Sequence, residues 1–218
     1  MGAEMNKWCA IFAGGDMPDM KPYSLPVYYK NFECVICADS GYKHAKKLGI
    51  VPDVIVGDFD SYDGELPEGV EVIRTVPEKD DTDTLMAIKK AISLGYKELF
   101  LFGALGGKRF EHTIANIEAM MYAREHGCKL GIYGESTLLL QGAEDGEHCY
   151  LREEEGTYLS VFAMTESADI EYMRGVKYPL ENYHMVQSFP IGVSNEITDT
   201  TADIKLKSGV VLIVLTAM

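Results

Sequence analysis

Two acidic side chains follow a short apolar run in the first third of the chain, within the stretch DVIVGDFDS. Val54, Ile55 and Val56 predict a buried strand that ends at a glycine, and Asp58 and Asp60 come directly after it. Carboxylates held a few ångströms apart disfavour joint ionisation, so the pair needs a compensating positive charge. Asp-x-Asp at a strand end supplies the hard oxygen ligands that Mg²⁺ takes. The pattern therefore favours a divalent-metal site.

A second acidic stretch, EKDDTDT, follows the next apolar run and opens a predicted helix. Asp81 or Thr82 can cap that helix, and Asp83 can favour its first turn through the helix dipole. Capping needs only one or two of these groups, so it does not explain why Asp80, Asp81 and Asp83 stand together. We expect these carboxylates to lie opposite those of the first stretch, around a shared cation.

A third stretch, GALGGKRFEH, follows a further apolar run and also opens a predicted helix. It differs from a P-loop because Gly103 and Gly107 are one residue too close and Arg109 replaces the Ser or Thr that would hold magnesium. What remains is a glycine-rich turn before a helix, whose backbone N–H groups and positive dipole end suit an anion. Taken alone, the stretch is equally compatible with a plain tight turn.

A metal site that faces an arginine-bearing anion cradle is the arrangement used in phosphoryl transfer, which depends on positioning and charge neutralisation more than on covalent help. The residues by themselves therefore predict a metal-dependent transferase or hydrolase that uses a nucleotide. They do not identify the acceptor.

The elements that position these stretches form a strand–helix alternation up to about Tyr133, which predicts a parallel α/β sheet. Ligands of such sheets bind beyond the carboxyl ends of the strands, which is where all three stretches fall. The predicted strands are WCAIFA, FECVICA, DVIVG, VEVIRT, ELFLFG and KLGIY, and the helices are GYKHAKKLG, DTLMAIKKAISLG and EHTIANIEAMMYAREHG.

Two of these helices carry apolar residues at helical spacing, and all three end near a glycine suited to a C-terminal cap. The predicted apolar faces are Leu85, Ile88 and Ile92 in one helix and Ile114, Ile117 and Met121 in the other. The predicted cap glycines are Gly49, Gly95 and Gly127.

Beyond about Gly134 only short β-type runs remain, which predicts a small all-β sandwich. Its last two runs, DIKLK and VVLIVLT, read as a closing hairpin that turns at Ser208-Gly209. The other predicted runs are TLLLQG, HCYLR, TYLSVFAM, DIEYM, VKYPL, HMVQSF and EITDT. The expected organisation is an N-terminal parallel-sheet α/β domain, residues 1–134, that binds nucleotide and metal, followed by a C-terminal β-sandwich domain, residues 135–218.

Composition excludes several classes of partner. The net charge of −14 argues against nucleic acid and against anionic membranes, because both demand a basic surface. No apolar run is long enough to span a bilayer, and the first residues lack the basic and apolar segments of a signal peptide, which indicates a cytoplasmic protein. Cys34 and Cys37 form a C-x-x-C inside a predicted strand, where their thiols point to opposite faces, so we expect buried reduced cysteines.

Four ordered motifs resemble those of the thiamine pyrophosphokinase family. They lie at residues 38–61, 79–84, 103–116 and 176–196, and the pairing of GDFDS with K-D-x-T-D, followed by a late SNE, is the most specific part. The resemblance implies an enzyme that moves the pyrophosphoryl group of ATP to the hydroxyethyl group of thiamine, leaving AMP and thiamine diphosphate. It also implies magnesium as cofactor and a homodimer with its sites at the subunit interface, to which the sandwich domain contributes.

Carried onto matching positions, the resemblance assigns Asp58, Asp60 and Asp83 as catalytic and magnesium-binding acids and Arg109 as a catalytic phosphate contact. The further binding residues that it implies are Asp39 and Asp80 in the α/β domain and Ser194 and Asn195 in the β domain. His112 opens the helix beside the glycine turn, so we place it in the binding site as well. Asp81 falls at a variable position of the motif and is left out.

The sequence departs from the family at GGKRFEH, where the usual pattern is GGRxDH. We align Arg109 to His112 with the last four positions, so Lys108 is an insertion and Glu111 replaces an Asp. Two questions stay open. One is whether Lys108, instead of Arg109, is the phosphate-binding cation. The other is whether the longer Glu111 reaches the metal or the substrate in the way that an aspartate would. Alternative functions are a non-catalytic nucleotide- or metal-binding regulator and a transferase with another acceptor alcohol.

Overall fold

The chain folds into two units, residues 1–134 and 135–218, in the computed structural model. The structure describes residues 7–17, 32–59, 65–75, 80–146, 149–151 and 156–217. The strands of the first unit are β1 (Trp8–Phe12), β2 (Cys34–Ala38), β3 (Val54–Gly57), β4 (Glu71–Arg74), β5 (Glu98–Phe102) and β6 (Lys129–Tyr133). Its helices are α1 (Tyr42–Lys47), α2 (Asp83–Ser93) and α3 (Phe110–Glu125).

The first unit is built on a parallel sheet in the order β6-β5-β1-β2-β3-β4. This confirms the predicted α/β class. The chain runs outward from β1 to β4 and then returns to place β5 on the other side of β1. The direction of winding therefore reverses between β1 and β5, and the crevice at such a reversal is where open α/β sheets bind their ligands.

Strand residues alternate between the two faces of this sheet, and both faces are buried. On one face, Phe12, Cys37 and Phe102 pack with Tyr42 and Ala45 of α1. Helix α2 lies against β1, β2 and β3. Because helices cover the sheet, its strands consist of almost continuous apolar residues, which is the pattern that the sequence displays.

The predicted apolar faces of the two longer helices are only partly right. In α2 the buried residues are Thr84, Ala87, Ile88 and Ala91, so Ile88 is buried as predicted. In α3 they are Asn116, Ala119, Met120 and Ala123, and the predicted Ile114 is 44% exposed. Small side chains allow these helices to approach their neighbours closely, so the most apolar stripe of α3 is not the one that packs.

Helix ends follow the sequence closely. Gly49, Gly95 and Gly127 each stand two residues beyond the end of a helix with φ between +69° and +87°, as predicted for C-terminal caps. Thr82 caps the start of α2, where its hydroxyl accepts a hydrogen bond from the Leu85 N–H at 3.1 Å. The ends of these helices are therefore determined by local sequence signals.

Two antiparallel sheets form the second unit, as predicted for a sandwich. Their orders are β12-β9-β14-β7 and β11-β10-β13-β8, and apolar side chains from both sheets form one buried core. The strands are β7 (Ser136–Gly142), β8 (Cys149–Leu151), β9 (Tyr158–Ala163), β10 (Ser167–Arg174), β11 (Leu180–Val186), β12 (Asn195–Glu196), β13 (Ala202–Ser208) and β14 (Val210–Thr216).

The predicted closing hairpin is wrong. Strand β13 pairs with β10 and β8, whereas β14 lies between β7 and β9 in the other sheet. The chain crosses between sheets at Gly209, whose φ is +78° and where a Cβ would lie 2.4 Å from the Ser167 carbonyl oxygen. Both edges of the apolar β14 are occupied by other strands, so no edge remains for its sequence neighbour.

Two other strand predictions also need correction. The runs VKYPL and HMVQSF are not separate strands, because a single strand, β11, spans the end of the first and the start of the second. The run EITDT contributes only Glu196 to β12 and a bridge from Ile197 to Val176. Half-exposed edge strands give weak periodicity, which explains the misplaced boundaries.

The C-x-x-C thiols point to opposite faces of β2. Cys37 packs in the cluster that contains α1, whereas Cys34 lies beside Cys9 of the neighbouring strand β1. All five cysteines are free thiols. Among the described residues, no helix is both long enough and apolar enough to cross a membrane.

Alkaline pH tests the burial of Cys37. Burial raises the pKa of its thiol from 9.0 to about 12, so the unfolded chain loses this proton first. The free energy of unfolding should therefore fall as the pH rises from about 9 towards 12. Cys37→Ala should be less stable at neutral pH by roughly 1 kcal/mol because packing is lost, but its stability should depend less steeply on pH in this window. Urea denaturation across the window measures both slopes, and equal slopes would contradict the assignment.

Candidate active site

A cavity of about 410 Å³ lies at the carboxyl ends of the strands in the first unit. The loops that follow β1, β2, β3 and β5 line it together with the start of α2. Its size falls in the range of about 300–1,000 Å³ that is usual for small-molecule sites. It contains the point between β1 and β5 where the sheet reverses direction, so topology and shape indicate the same site.

Three carboxylates reach this cavity from three different elements. Asp39 follows β2, Asp58 follows β3 and Asp83 is the first residue of α2, and all three are half-buried. The Thr75 hydroxyl donates a hydrogen bond to Asp83 Oδ1 at 3.3 Å. Gly57 allows close packing here, because a Cβ at that position would lie 3.0 Å from the Asp39 Cα. The structure thus brings together side chains that the sequence placed on separate crossovers.

The other predicted acids behave differently. Asp60 lies outside the described residues, and Asp80 is exposed and does not line the cavity. Asp81, which was left out of the predicted site, forms an ion pair with Lys89 of α2 at 2.5 Å. This pair accounts for one acid of the EKDDTDT stretch, and the Thr82 cap accounts for the start of its helix.

The glycine-rich turn after β5 forms another wall of the cavity. Gly103 and Gly106 adopt positive φ values of +62° and +70°, and a Cβ at Gly103 would lie 2.4 Å from the Ala13 carbonyl oxygen. The buried Asn116 side chain donates a hydrogen bond to the Ala104 carbonyl at 2.8 Å. Helix α3 starts directly after the turn, and the residue at its N-cap position, Arg109, makes no side-chain cap hydrogen bond. The N–H groups and the positive dipole end at a helix N-terminus favour an anion.

Three charged or titratable side chains near the start of α3 line the cavity, namely Lys108, Arg109 and His112. Arg109 Nε donates a hydrogen bond to Glu111 Oε1 at 2.7 Å, and both side chains are mostly exposed. The Arg109 hydrogen bond lowers the pKa of the Glu111 carboxyl. The structure therefore gives Glu111 a partner, which the sequence left open.

Ser194 and Asn195 belong to the second unit. Asn195 is buried, and its amide oxygen accepts from the Tyr178 and Glu196 N–H groups while its Nδ2 donates to the Tyr178 carbonyl at 2.8 Å. Ser194 is exposed with φ +59°, and its N–H donates to Ser160 Oγ. A cavity of about 270 Å³ in the same unit is lined mainly by apolar side chains and by Asn195.

The acids of the first cavity have the right chemistry for a divalent cation, since carboxylate oxygens are the hard ligands that such ions take. Asp58 and Asp83 both line the cavity, and Asp60 stands two residues after Asp58 in the sequence. Within the part of the chain that the structure describes, no group of three or more His, Cys, Asp or Glu side chains is placed to hold a metal ion. The predicted ligand Asp60 lies outside the described residues.

Sequence analysis missed two residues that shape this site. Asp16, after β1, accepts a hydrogen bond from the Gly107 N–H at 2.6 Å, and His44 of α1 contacts the Gly15 carbonyl oxygen through Nε2 at 2.9 Å. The available signal for Asp16 was an acid directly after a Gly-Gly pair at a strand end, which is the same arrangement that drew attention to Asp58.

Comparison with known proteins decides the family. Residues 25–132 match the model of the thiamin pyrophosphokinase catalytic domain, and residues 148–211 match that of its vitamin B1 binding domain. The chain belongs to the thiamin pyrophosphokinase family. The predicted family and enzyme class are thereby confirmed, and the chain is an ATP-dependent pyrophosphotransferase.

Individual relatives agree with this assignment. Thiamine pyrophosphokinase of Bacillus subtilis is 25% identical over 214 residues, which cover 94% of this chain and 96% of the relative. Thiamin pyrophosphokinase 1 of Caenorhabditis elegans is 24% identical over 169 residues, covering 74% of this chain and 68% of the relative. A crystal structure of the Bacillus subtilis enzyme has the same fold, with a TM-score of 0.80, 23% identity and coverage of 97% of this chain and 99% of that one.

Proposed function

We propose that this chain transfers the pyrophosphoryl group of ATP to the hydroxyl group of thiamine, through the residues of the 410 Å³ cavity, to give thiamine diphosphate and AMP. The observation that supports this site most strongly is the convergence of carboxylates from three elements on a glycine turn that carries Arg109. Family membership supports thiamine as the acceptor.

Asp58, Asp60 and Asp83 are the proposed ligands of the metal, which we take to be magnesium. When bound, a magnesium ion would neutralise part of the negative charge on the phosphate oxygens of ATP. Asp58 and Asp83 come from separate elements, so the spacing between these two carboxylates is set by the sheet and not by a single loop. Asp39 lines the same cavity, and we place it beside the substrate; the exposed Asp80 is the weakest member of the predicted set.

Arg109 is the proposed phosphate contact. Its Nε is held by Glu111, and an arginine has five N–H donors, so its remaining N–H groups can bind phosphate oxygens. The N-terminal N–H groups of α3 and the adjacent His112 add donors on the same side. Positive groups aimed at the place where charge develops are often the largest single contribution to such a reaction.

The second unit is the proposed binding domain for thiamine, in agreement with its family description. We infer that Asn195 acts by holding the backbone at Tyr178 in place, because its amide group is already hydrogen-bonded there, and that Ser194 is the more exposed polar group. The homodimer and the cytoplasmic location remain predictions. Exposed apolar side chains, among them Phe189 and Ile191, are compatible with a subunit contact in this unit.

The reaction itself is tested by product analysis. With ATP, magnesium and thiamine, the purified protein should release AMP and thiamine diphosphate in equal amounts, and no AMP should form without thiamine. Chromatography of the nucleotide and thiamine products measures both. Binding of ATP without AMP would support a regulatory protein instead, and AMP formation with a different alcohol would change the acceptor.

The acid assignments are tested by isosteric replacement. Asp58→Asn, Asp60→Asn and Asp83→Asn should each lower kcat by roughly a hundredfold or more, because a proposed anionic ligand of the metal ion is lost. Asp81→Asn is the matched control; it should keep near-normal turnover because Asp81 pairs with Lys89. Circular dichroism should show unchanged folding in all four. Near-normal kcat for any of the first three would remove that residue from the site.

The choice between the two neighbouring cations is tested by removing each charge. Arg109→Met should raise the KM for ATP and lower kcat, so that kcat/KM for ATP falls by roughly a hundredfold. This is expected for the loss of a charged contact to the transition state. Lys108→Met should change both constants only slightly. Steady-state kinetics with varied ATP distinguish the two, and the reverse ranking would assign the phosphate contact to Lys108.

A further inference from the structure

The loop after β1 places a carboxylate directly on the glycine turn. Asp16 Oδ2 accepts a hydrogen bond from the Gly107 N–H at 2.6 Å, across 91 positions of sequence. Gly107 lines the cavity, and its neighbours along the chain are Lys108 and Arg109. One N–H group of the turn is therefore already used within the protein and is not a donor to substrate.

Backbone contacts hold the same two segments together. The Gly15 N–H donates to the Gly103 carbonyl at 2.7 Å, and the Asp16 N–H donates to the Leu105 carbonyl at 3.0 Å. Asp16 and Leu105 form an isolated antiparallel bridge. Because β1 and β5 are adjacent parallel strands, their following loops leave the sheet side by side and continue in contact.

The turn is also shaped around the Asp16 carboxylate. Gly106 has φ +70°, and a Cβ at this position would lie 2.6 Å from Asp16 Oδ2. A larger residue at position 106 would both strain the backbone and displace the carboxylate. The glycine at 106 and the acid at 16 therefore depend on each other.

We propose that Asp16 is a positioning residue, whose carboxylate fixes the turn at residues 105–107 so that the side chains that follow face the polyphosphate of ATP. This inference rests on the proposed function of the glycine turn as the phosphate cradle. Asp16 acts through the backbone of Gly107 and touches no substrate atom.

Two effects of opposite sign act at this position. The negative charge of Asp16 repels a polyphosphate, but Asp16 is exposed, so solvent and salt weaken that repulsion. The hydrogen bond to Gly107 orders the turn before substrate arrives, which lowers the entropy cost of binding. Asparagine keeps an oxygen that can accept the bond and removes the charge, whereas alanine removes both.

The experiment compares Asp16→Asn and Asp16→Ala in the full-length protein, with Glu118→Ala as the matched control on the exposed face of α3. Asp16→Ala should raise the KM for ATP by about tenfold, and it should raise the Kd for magnesium triphosphate, measured by calorimetry, by the same factor. A tenfold change corresponds to the loss of about one hydrogen bond to a charged group. Asp16→Asn should stay within about twofold of the unmodified protein on both measures. KM for thiamine should not change in any variant, and Glu118→Ala should match the unmodified protein throughout.

Three results would overturn the proposal. Unchanged binding in Asp16→Ala would mean that the hydrogen bond does not order the turn, and tighter binding would mean that charge repulsion dominates. Equal impairment in Asn and Ala would mean that the charge itself matters, as in a metal ligand. Asp16→Ser, whose hydroxyl is too short to reach Gly107, gives a second test if the alanine variant does not fold. If the unmodified protein formed no AMP, the proposed reaction would fail, but triphosphate binding would still decide the role of Asp16.

Discussion

Electrostatic repulsion is the constraint on which the site depends, because a chain with a net charge of −14 has to bind a polyanionic nucleotide. Asp39, Asp58 and Asp83 meet in one cavity, where their charges oppose one another and oppose phosphate. The positive side chains that line the same cavity, together with a divalent cation among the acids, would make such a cavity attractive to a polyphosphate. The ion pair with Glu111 partly offsets the charge of Arg109 in the absence of substrate.

The parallel sheet solves the problem of bringing these groups together. All strands of a parallel sheet end at the same edge, so the polar loops that follow them lie close together there. The reversal between β1 and β5 makes two loops neighbours that are far apart in sequence, and it is there that Asp16 meets Gly107. Neither loop carries a recognisable phosphate-binding motif by itself, so the contact between them is visible only in the tertiary structure.

The second unit uses its polar residues differently. Its core is apolar and contributed by both sheets, and the buried Asn195 connects two backbone segments instead of pointing a free amide outward. A buried amide whose oxygen and nitrogen are both hydrogen-bonded stabilises a loop at little cost. In this unit, therefore, a motif residue of the family has a structural partner that sequence similarity does not reveal.

Local signals determined much of this protein. Apolar runs set the strands of the first unit, Thr82 and the glycines at 49, 95 and 127 set helix ends, and acids after strands marked the cavity. Tertiary structure alone decided that β13 and β14 enter different sheets, that α3 packs through small residues, that Asp81 pairs with Lys89, and that Asp16 holds Gly107. Each of these depends on which strand edge or which distant group is already occupied. The sequence of a single segment does not specify this, because it depends on other segments of the chain.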